Sequence, residues 1–311
     1  MHGASRAGAA GQRRRARGML AAQGGDSHAQ PEGPQLMPAA TLPEIREAEA
    51  PPDIAALYAA LREASGVPLV NLIYRHLATL PGVLPWVWQA IRPPLRDGSL
   101  AGARERLAEA IPLPPVRPLP TAALPPADRR DLMALVETYN RGNLTNLILL
   151  TALRRALEGA PAEPGPPPPR RPAPPGLPAP PPIPRLADLP PELAGAVLAL
   201  AARHGGPGVV PSLYLHLAHW PGIPAALPDW LGAALDPAAI AAGRDSAVRL
   251  ALREADALRP GLDLRDAVPG DQREAVLGAL GRFTRQVIPA MVPIGLALRR
   301  SLTGDANLAQ A

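Results

Sequence analysis

An all-α fold of two tandem helical repeats, related by a pseudo-two-fold and joined by a Pro-rich linker, is what this sequence predicts. Three observations carry the prediction. Apolar residues recur at helical three-and-four spacing, as in Ile54, Leu57, Tyr58 and Leu61, and no stretch of useful length alternates with period two. The chain also repeats itself. Ile73-Tyr74-Arg75-His76-Leu77-Ala78-Thr79-Leu80-Pro81-Gly82 aligns with Leu213-Tyr214-Leu215-His216-Leu217-Ala218-His219-Trp220-Pro221-Gly222 at a constant offset of 140, and Leu153-Arg154-Arg155 aligns with Leu298-Arg299-Arg300 at 145. Finally, residues 158–185 are half proline, which favours an extended polyproline spacer over a packed element.

The elements follow in order. Pro51-Pro52-Asp53 signals a helix start ahead of the Ile54–Leu61 face, and Gly66 marks its end. A second helix is predicted over Leu69–Leu80, stopped by Pro81-Gly82, and a short third over Trp86–Ile91. A fourth covers Leu100–Ala110. The fifth is long, Asp128–Leu157, with a polar interruption at Asn140-Arg141-Gly142-Asn143. The organisation expected is a disordered Arg/Gly/Ala-rich tail at 1–40, repeat 1 at 41–157, the linker at 158–185, repeat 2 at 186–304 and a tail at 305–311. The linker is expected to stay solvated and act as a spacer, with recognition of its prolines by a partner as the other reading.

Composition narrows the chemistry. The 311 residues contain no cysteine and no lysine, so all 32 basic residues are arginine. Disulfides, thiolate nucleophiles, Cys-ligated zinc, lysine Schiff bases and P-loops are excluded. Arg6, Arg13, Arg14, Arg15 and Arg17 account for much of the net charge of +5, in a segment without hydrophobic period. A nucleic-acid surface needs a basic stripe on a folded face, so no nucleic-acid partner is expected. Residues 205–228 carry no charged side chain but hold five prolines, which leave too many backbone groups unbonded for a bilayer; a buried helix pair in a cytoplasmic protein is the expectation.

The residues around the repeat resemble the group I 2-haloacid dehalogenase family, all-α enzymes built from two tandem repeats. The matching stretches are Gly66-Val67-Pro68 through His76-Leu77-Ala78-Thr79-Leu80-Pro81-Gly82-Val83-Leu84-Pro85, Tyr139-Asn140-Arg141-Gly142-Asn143 with Leu149-Leu150-Thr151-Ala152-Leu153, and Ala218-His219-Trp220-Pro221. The resemblance implies a pocket between the repeats, no cofactor, and a small-molecule carboxylate as ligand; a homo-oligomer is compatible with it. It implies that a buried aspartate activates water for direct attack on the halogen-bearing carbon. A distant relation to the carboxymuconolactone decarboxylase and alkylhydroperoxidase-like fold is also implied, but the redox cysteines of those proteins are absent.

Position by position, the family's asparagine falls on Asn143 and the serine before its aspartate on Ser212. The aspartate itself falls on Leu213, the pocket tyrosine on Asn146, and two first-repeat aromatics on Leu69 and Leu72. These six are the candidate substrate-binding residues, and no catalytic residue is assigned. The resemblance thus implies a dehalogenase-like hydrolase with a degenerate active site, and the alternative is a non-catalytic protein binding a small apolar acid. His216, one turn beyond Leu213, is either a replacement base or a packing histidine matched by His76. A metal site from His204, His216 and His219 fits no strong ligand spacing, and no metal is expected. Asp128, Asp131, Glu137, Glu254 and Asp256 read as solvated helix faces, and Asp245 as an N-cap.

Overall fold

The computed structural model describes residues 42–119, 124–162, 168–172, 175–204 and 210–304. The tails expected at 1–40 and 305–311 lie outside these, as do parts of the linker. The described residues are helical with no strand. The first half runs α1 (Pro52–Ser65), α2 (Leu72–Leu77), α3 (Val83–Arg96), α4 (Ser99–Ala110) and α5 (Pro126–Leu157). The second runs α6 (Pro191–Ala202), α7 (Ser212–Leu217), α8 (Gly222–Leu231), α9 (Pro237–Leu258), α10 (Arg273–Arg282) and α11 (Ile288–Thr303). A π-helical turn, Phe283–Val287, joins the last two. Among the described residues no helix is long and apolar enough to cross a membrane.

Local chemistry explains where these elements begin and end. Helix α1 starts on Pro52 and closes at Gly66, whose φ of 64° is the left-handed conformation that ends helices cheaply only in glycine. Helix α2 is shorter than the spacing predicts. Asn71 sits outside it in extended backbone and caps it by accepting from the Ile73 N–H at 3.2 Å, which sets the start three residues after Leu69. Helix α3 is longer than predicted and runs through Pro93 and Pro94. Asp245 lies inside α9 and caps nothing; the cap is Asp236, which accepts from the N–H of Ala238 at 2.8 Å.

The polar stretch at 140–143 does not interrupt α5. Its side chains are spent on other elements instead. Asn140 donates to the Gly295 carbonyl in α11 at 3.0 Å, and Arg141 donates to the carbonyls of Gly66 and Pro175 at 3.1 and 2.7 Å. The acids read as solvated divide. Asp256 is buried in a two-pronged pair with Arg155 at 2.7 and 2.8 Å, and Glu254 pairs with Arg106 at 3.0 Å. Glu137 is half-buried beside Arg141, and Asp131 is exposed.

The linker is mostly exposed but not a free spacer. Arg171 N–H donates to the Gly98 carbonyl at 2.9 Å, which pins it to the start of α4. Farther on, Pro175, Pro181 and Pro182 offer carbonyls to Arg141, His216 and His219. Proline cannot donate from its backbone, so at these three positions the strap is held by side chains reaching out to its carbonyls.

Two apolar cores form, and three helices serve both. The first gathers α1 to α4 with Val276, Leu280 and Phe283. The second gathers α6 to α8. Helix α5 gives Leu144, Leu147 and Leu150 to the first core and Leu132, Leu135 and Val136 to the second. Helix α11 gives Val292 and Leu296 to one and Ile294 and Leu298 to the other, and α9 divides likewise through Ala251 and Ile240.

Candidate functional site

Between the two cores lies a cavity of about 630 Å³. Its walls are the 67–72 loop, the middle of α5, the starts of α7 and α9, and the π turn before α11. The π turn has a local cause. Pro289 has no N–H to return to Arg285, and the Ile288 N–H reaches back to the Phe283 carbonyl instead, widening the helix where Phe283, Val287 and Ile288 face the cavity.

All six candidate residues line this one cavity: Leu69, Leu72, Asn143, Asn146, Ser212 and Leu213. Asn146 is already engaged, since its Oδ1 accepts from the buried Tyr74 hydroxyl at 2.8 Å. Ser212 is the first residue of α7 and stands close enough to the Tyr139 hydroxyl to lower its phenol. Leu213, next to it, is 1% exposed and belongs to the second apolar core.

His216 does not line the cavity. It is fully buried behind Tyr139, and both ring nitrogens are used. Nε2 lies 2.8 Å from the Pro181 carbonyl, which can only accept, so Nε2 carries the proton; Nδ1 then accepts from the Tyr139 hydroxyl at 2.7 Å. Burial, opposed by the Pro181 bond and helped slightly by His219, pushes the imidazole down to about 4. A base that weak, with its lone pair occupied, is a positioning group for Tyr139. His76 fills a similar place in the first half, with Nδ1 donating to the Pro43 carbonyl at 2.8 Å. His204 Nε2 lies 2.9 Å from the Tyr214 hydroxyl and His219 Nε2 donates to Pro182 at 2.8 Å; among the described residues no group of three or more metal-ligating side chains forms.

Three lining residues carry signals that sequence reasoning missed. Arg75 is 16% exposed, faces Glu44 at 3.1 Å, and has a buried Nε without a hydrogen-bond partner. Leaving such a donor unsatisfied costs about 1–3 kcal/mol. Tyr139 is held between Ser212 and His216, and burial raises its phenol, partly offset by the positive charge of Arg75. Among the described residues Glu47 is the one carboxylate of the lining. Its Oε1 accepts from the Val70 N–H at 3.0 Å and its Oε2 pairs with Arg62. The Leu215 opposite Arg75 in the repeat alignment was the available clue: a charge had entered an apolar register on one side only.

The helix order and the inter-core cavity define an all-α dehalogenase-type fold, and solved structures agree. The chain superposes on a D-2-haloacid dehalogenase in complex with L-LA at a TM-score of 0.68 and 18% identity, covering 86% of this chain and 98% of that one. A mutant D-2-haloacid dehalogenase matches at 0.66 and 17%, covering 86% and 97%, and a mutant in complex with D-2-CPA at 0.65 and 18%, covering 88% and 98%. No protein-family model and no curated protein matches the sequence. At this identity the likeness establishes the fold.

Proposed function

We propose that this chain is a 2-haloacid dehalogenase-like protein that binds a carboxylate in its cavity and does not hydrolyse carbon–halogen bonds through an aspartate at position 213. Leu213 carries this reading: it lines the cavity beside Ser212, and a hydrocarbon takes no proton from water. Loss of a general base forfeits about 10²- to 10⁴-fold in rate. The ligand class is supported by Arg75, Tyr139, Asn143 and Ser212 on the same wall system, and by the matched structures, which are of proteins named for 2-haloacids.

The proposed scaffold is two tandem halves about a pseudo-two-fold. A 3-10 turn (Glu47–Glu49 or Leu186–Asp188), a helix begun on proline (α1 or α6) and a six-residue helix (α2 or α7) recur in the same order, which supports duplication.

The test is halide release from racemic 2-chloropropionate, with Leu213→Asp as the partner variant. The wild-type protein is expected to release no halide above the uncatalysed rate, and Leu213→Asp to gain turnover. Wild-type release within tenfold of a haloacid dehalogenase run alongside would overturn the reading. A second reading rests on Glu47, the one acid of the lining, acting as base. It predicts wild-type release that Glu47→Gln abolishes.

A further inference from the structure

The cavity is larger than the acids that the fold's relatives are named for require. Liquid water occupies about 30 Å³ per molecule, so 630 Å³ has room for about twenty water-sized groups. A three-carbon chloro acid has six heavy atoms and leaves most of that space to water against hydrocarbon. The apolar part of its lining includes Leu72, Ile240, Val287 and Met291, with Asn143 and Gln286 among the polar side chains beside them. Where the resemblance places an aspartate and two aromatics, this chain has Leu213, Leu69 and Leu72, aliphatic side chains all three, while Asn146 stands where it places a tyrosine.

The polar groups set the sign of the ligand. Arg75, Arg244 and Arg282 stand on the lining against one acid, Glu47, which is already committed to Arg62 and to the Val70 N–H. Arg244 sits beside Asp245, and Arg282 is at the exposed rim. Arg75 is the most buried of the three, at 16% exposure. Its guanidinium lies close enough to the Tyr139 phenol to bias it, and Tyr139 in turn meets Ser212. A fixed cation with neutral donors beside it suits one carboxylate, and the rest of the cavity suits a chain.

Resting on the carboxylate reading above, we infer that the cavity takes a monocarboxylic acid with an aliphatic tail of about eight to twelve carbons, its head at Arg75. Ile183, from the strap held by His216 and His219, is part of the lining and offers the tail a further apolar contact.

The experiment is calorimetric titration of the full chain with propionate, 2-chloropropionate, octanoate, decanoate and dodecanoate below their micellar concentrations. Decan-1-ol and decyltrimethylammonium serve as neutral and cationic controls. Affinity is expected to rise about threefold to fourfold per added methylene, the increment for burying CH₂, up to about twelve carbons. Arg75→Gln is expected to weaken decanoate at least tenfold and leave decan-1-ol unchanged. Because that variant strands Glu44, Glu44→Gln/Arg75→Gln removes both charges and is expected to show the same loss. Binding of short acids with no gain on lengthening overturns the chain-length inference and leaves the carboxylate reading standing. Decan-1-ol binding as tightly as decanoate overturns the head-group assignment. No binding by any carboxylate overturns both.

Discussion

His216 shows how a residue can be legible in position and misread in role. Its place in both repeats marks it in the sequence, yet only the fold reveals that Tyr139 and Pro181 consume both nitrogens. The tautomer they impose gives a testable pH dependence. The imidazole is held near 4 in the folded chain against about 6.5 when unfolded. Between those values the unfolded chain binds the extra proton, so stability is complete above about pH 6.5, falls as the pH drops toward 4, and is flat below. The loss expected from this group is on the order of 2 kcal/mol, read as the urea midpoint against pH. His204, also lowered by burial, adds in the same direction. His216→Gln, which can donate to Pro181 and accept from Tyr139 without titrating, is expected to flatten that slope. His216→Ala strands the buried Tyr139 hydroxyl and is expected to cost about 2–4 kcal/mol at every pH. An unchanged slope in His216→Gln would assign the pH dependence to other groups. Asn143, Ser212 and Leu213 could be placed because they sit within motifs. Arg75 and Glu47 could not, since one departs from its repeat partner and the other lies in a 3-10 turn that no periodicity announces.

At the scale of elements, helix existence and order were readable from apolar spacing and from Pro and Gly punctuation, while the roles of the polar interruptions were not. The stretch at 140–143 carries the residues that a loop would, but Asn140 and Arg141 are satisfied by partners distant in sequence and Asn143 lines the cavity. Where α5 crosses α11, Asn140 Oδ1 lies only 2.2 Å from where a Cβ on Gly295 would stand, so a side chain there displaces the Asn140 amide. Gly295→Ala must push Asn140 away and break its bond to the Gly295 carbonyl. A loss of about 2–3 kcal/mol is expected by denaturant unfolding. Asn140→Ala removes the obstruction, so the double variant is expected to be more stable than the sum of the single losses allows. Strict additivity would show that the two residues do not meet. The linker obeys the same logic. A Cβ on Gly98 would stand 2.3 Å from the Arg171 carbonyl, at a φ of 81° that only glycine holds without strain. Gly98→Ala is therefore expected to release the linker from α4 and to raise its cleavage by proteases several-fold, with the helical circular dichroism largely retained.

Across the whole molecule, the chain order suggests two separable repeats, whereas the packing shares α5, α9 and α11 between both cores. A helix 32 residues long cannot lose one end to solvent without disturbing the other, because Leu135 and Leu147 are fixed by the same backbone. The first core also takes Val276 and Leu280 from the far end of the chain, so neither half buries its apolar face alone. Folding should then be one cooperative event despite the linker. Tryptophans report on the two cores separately: Trp86 and Trp88 belong to the first, while Trp220 and the half-buried Trp230 belong to the second. Trp220→Phe/Trp230→Phe leaves fluorescence in the first core, and Trp86→Phe/Trp88→Phe leaves it in the second. Each variant is expected to give a fluorescence midpoint in urea that coincides with its own far-UV circular dichroism midpoint. A variant whose fluorescence transition precedes its loss of helix would mean that one core melts while the other stands. The cavity, whose walls come from both cores, would then open before the protein unfolds, and ligand affinity would track that partial melting instead of global stability.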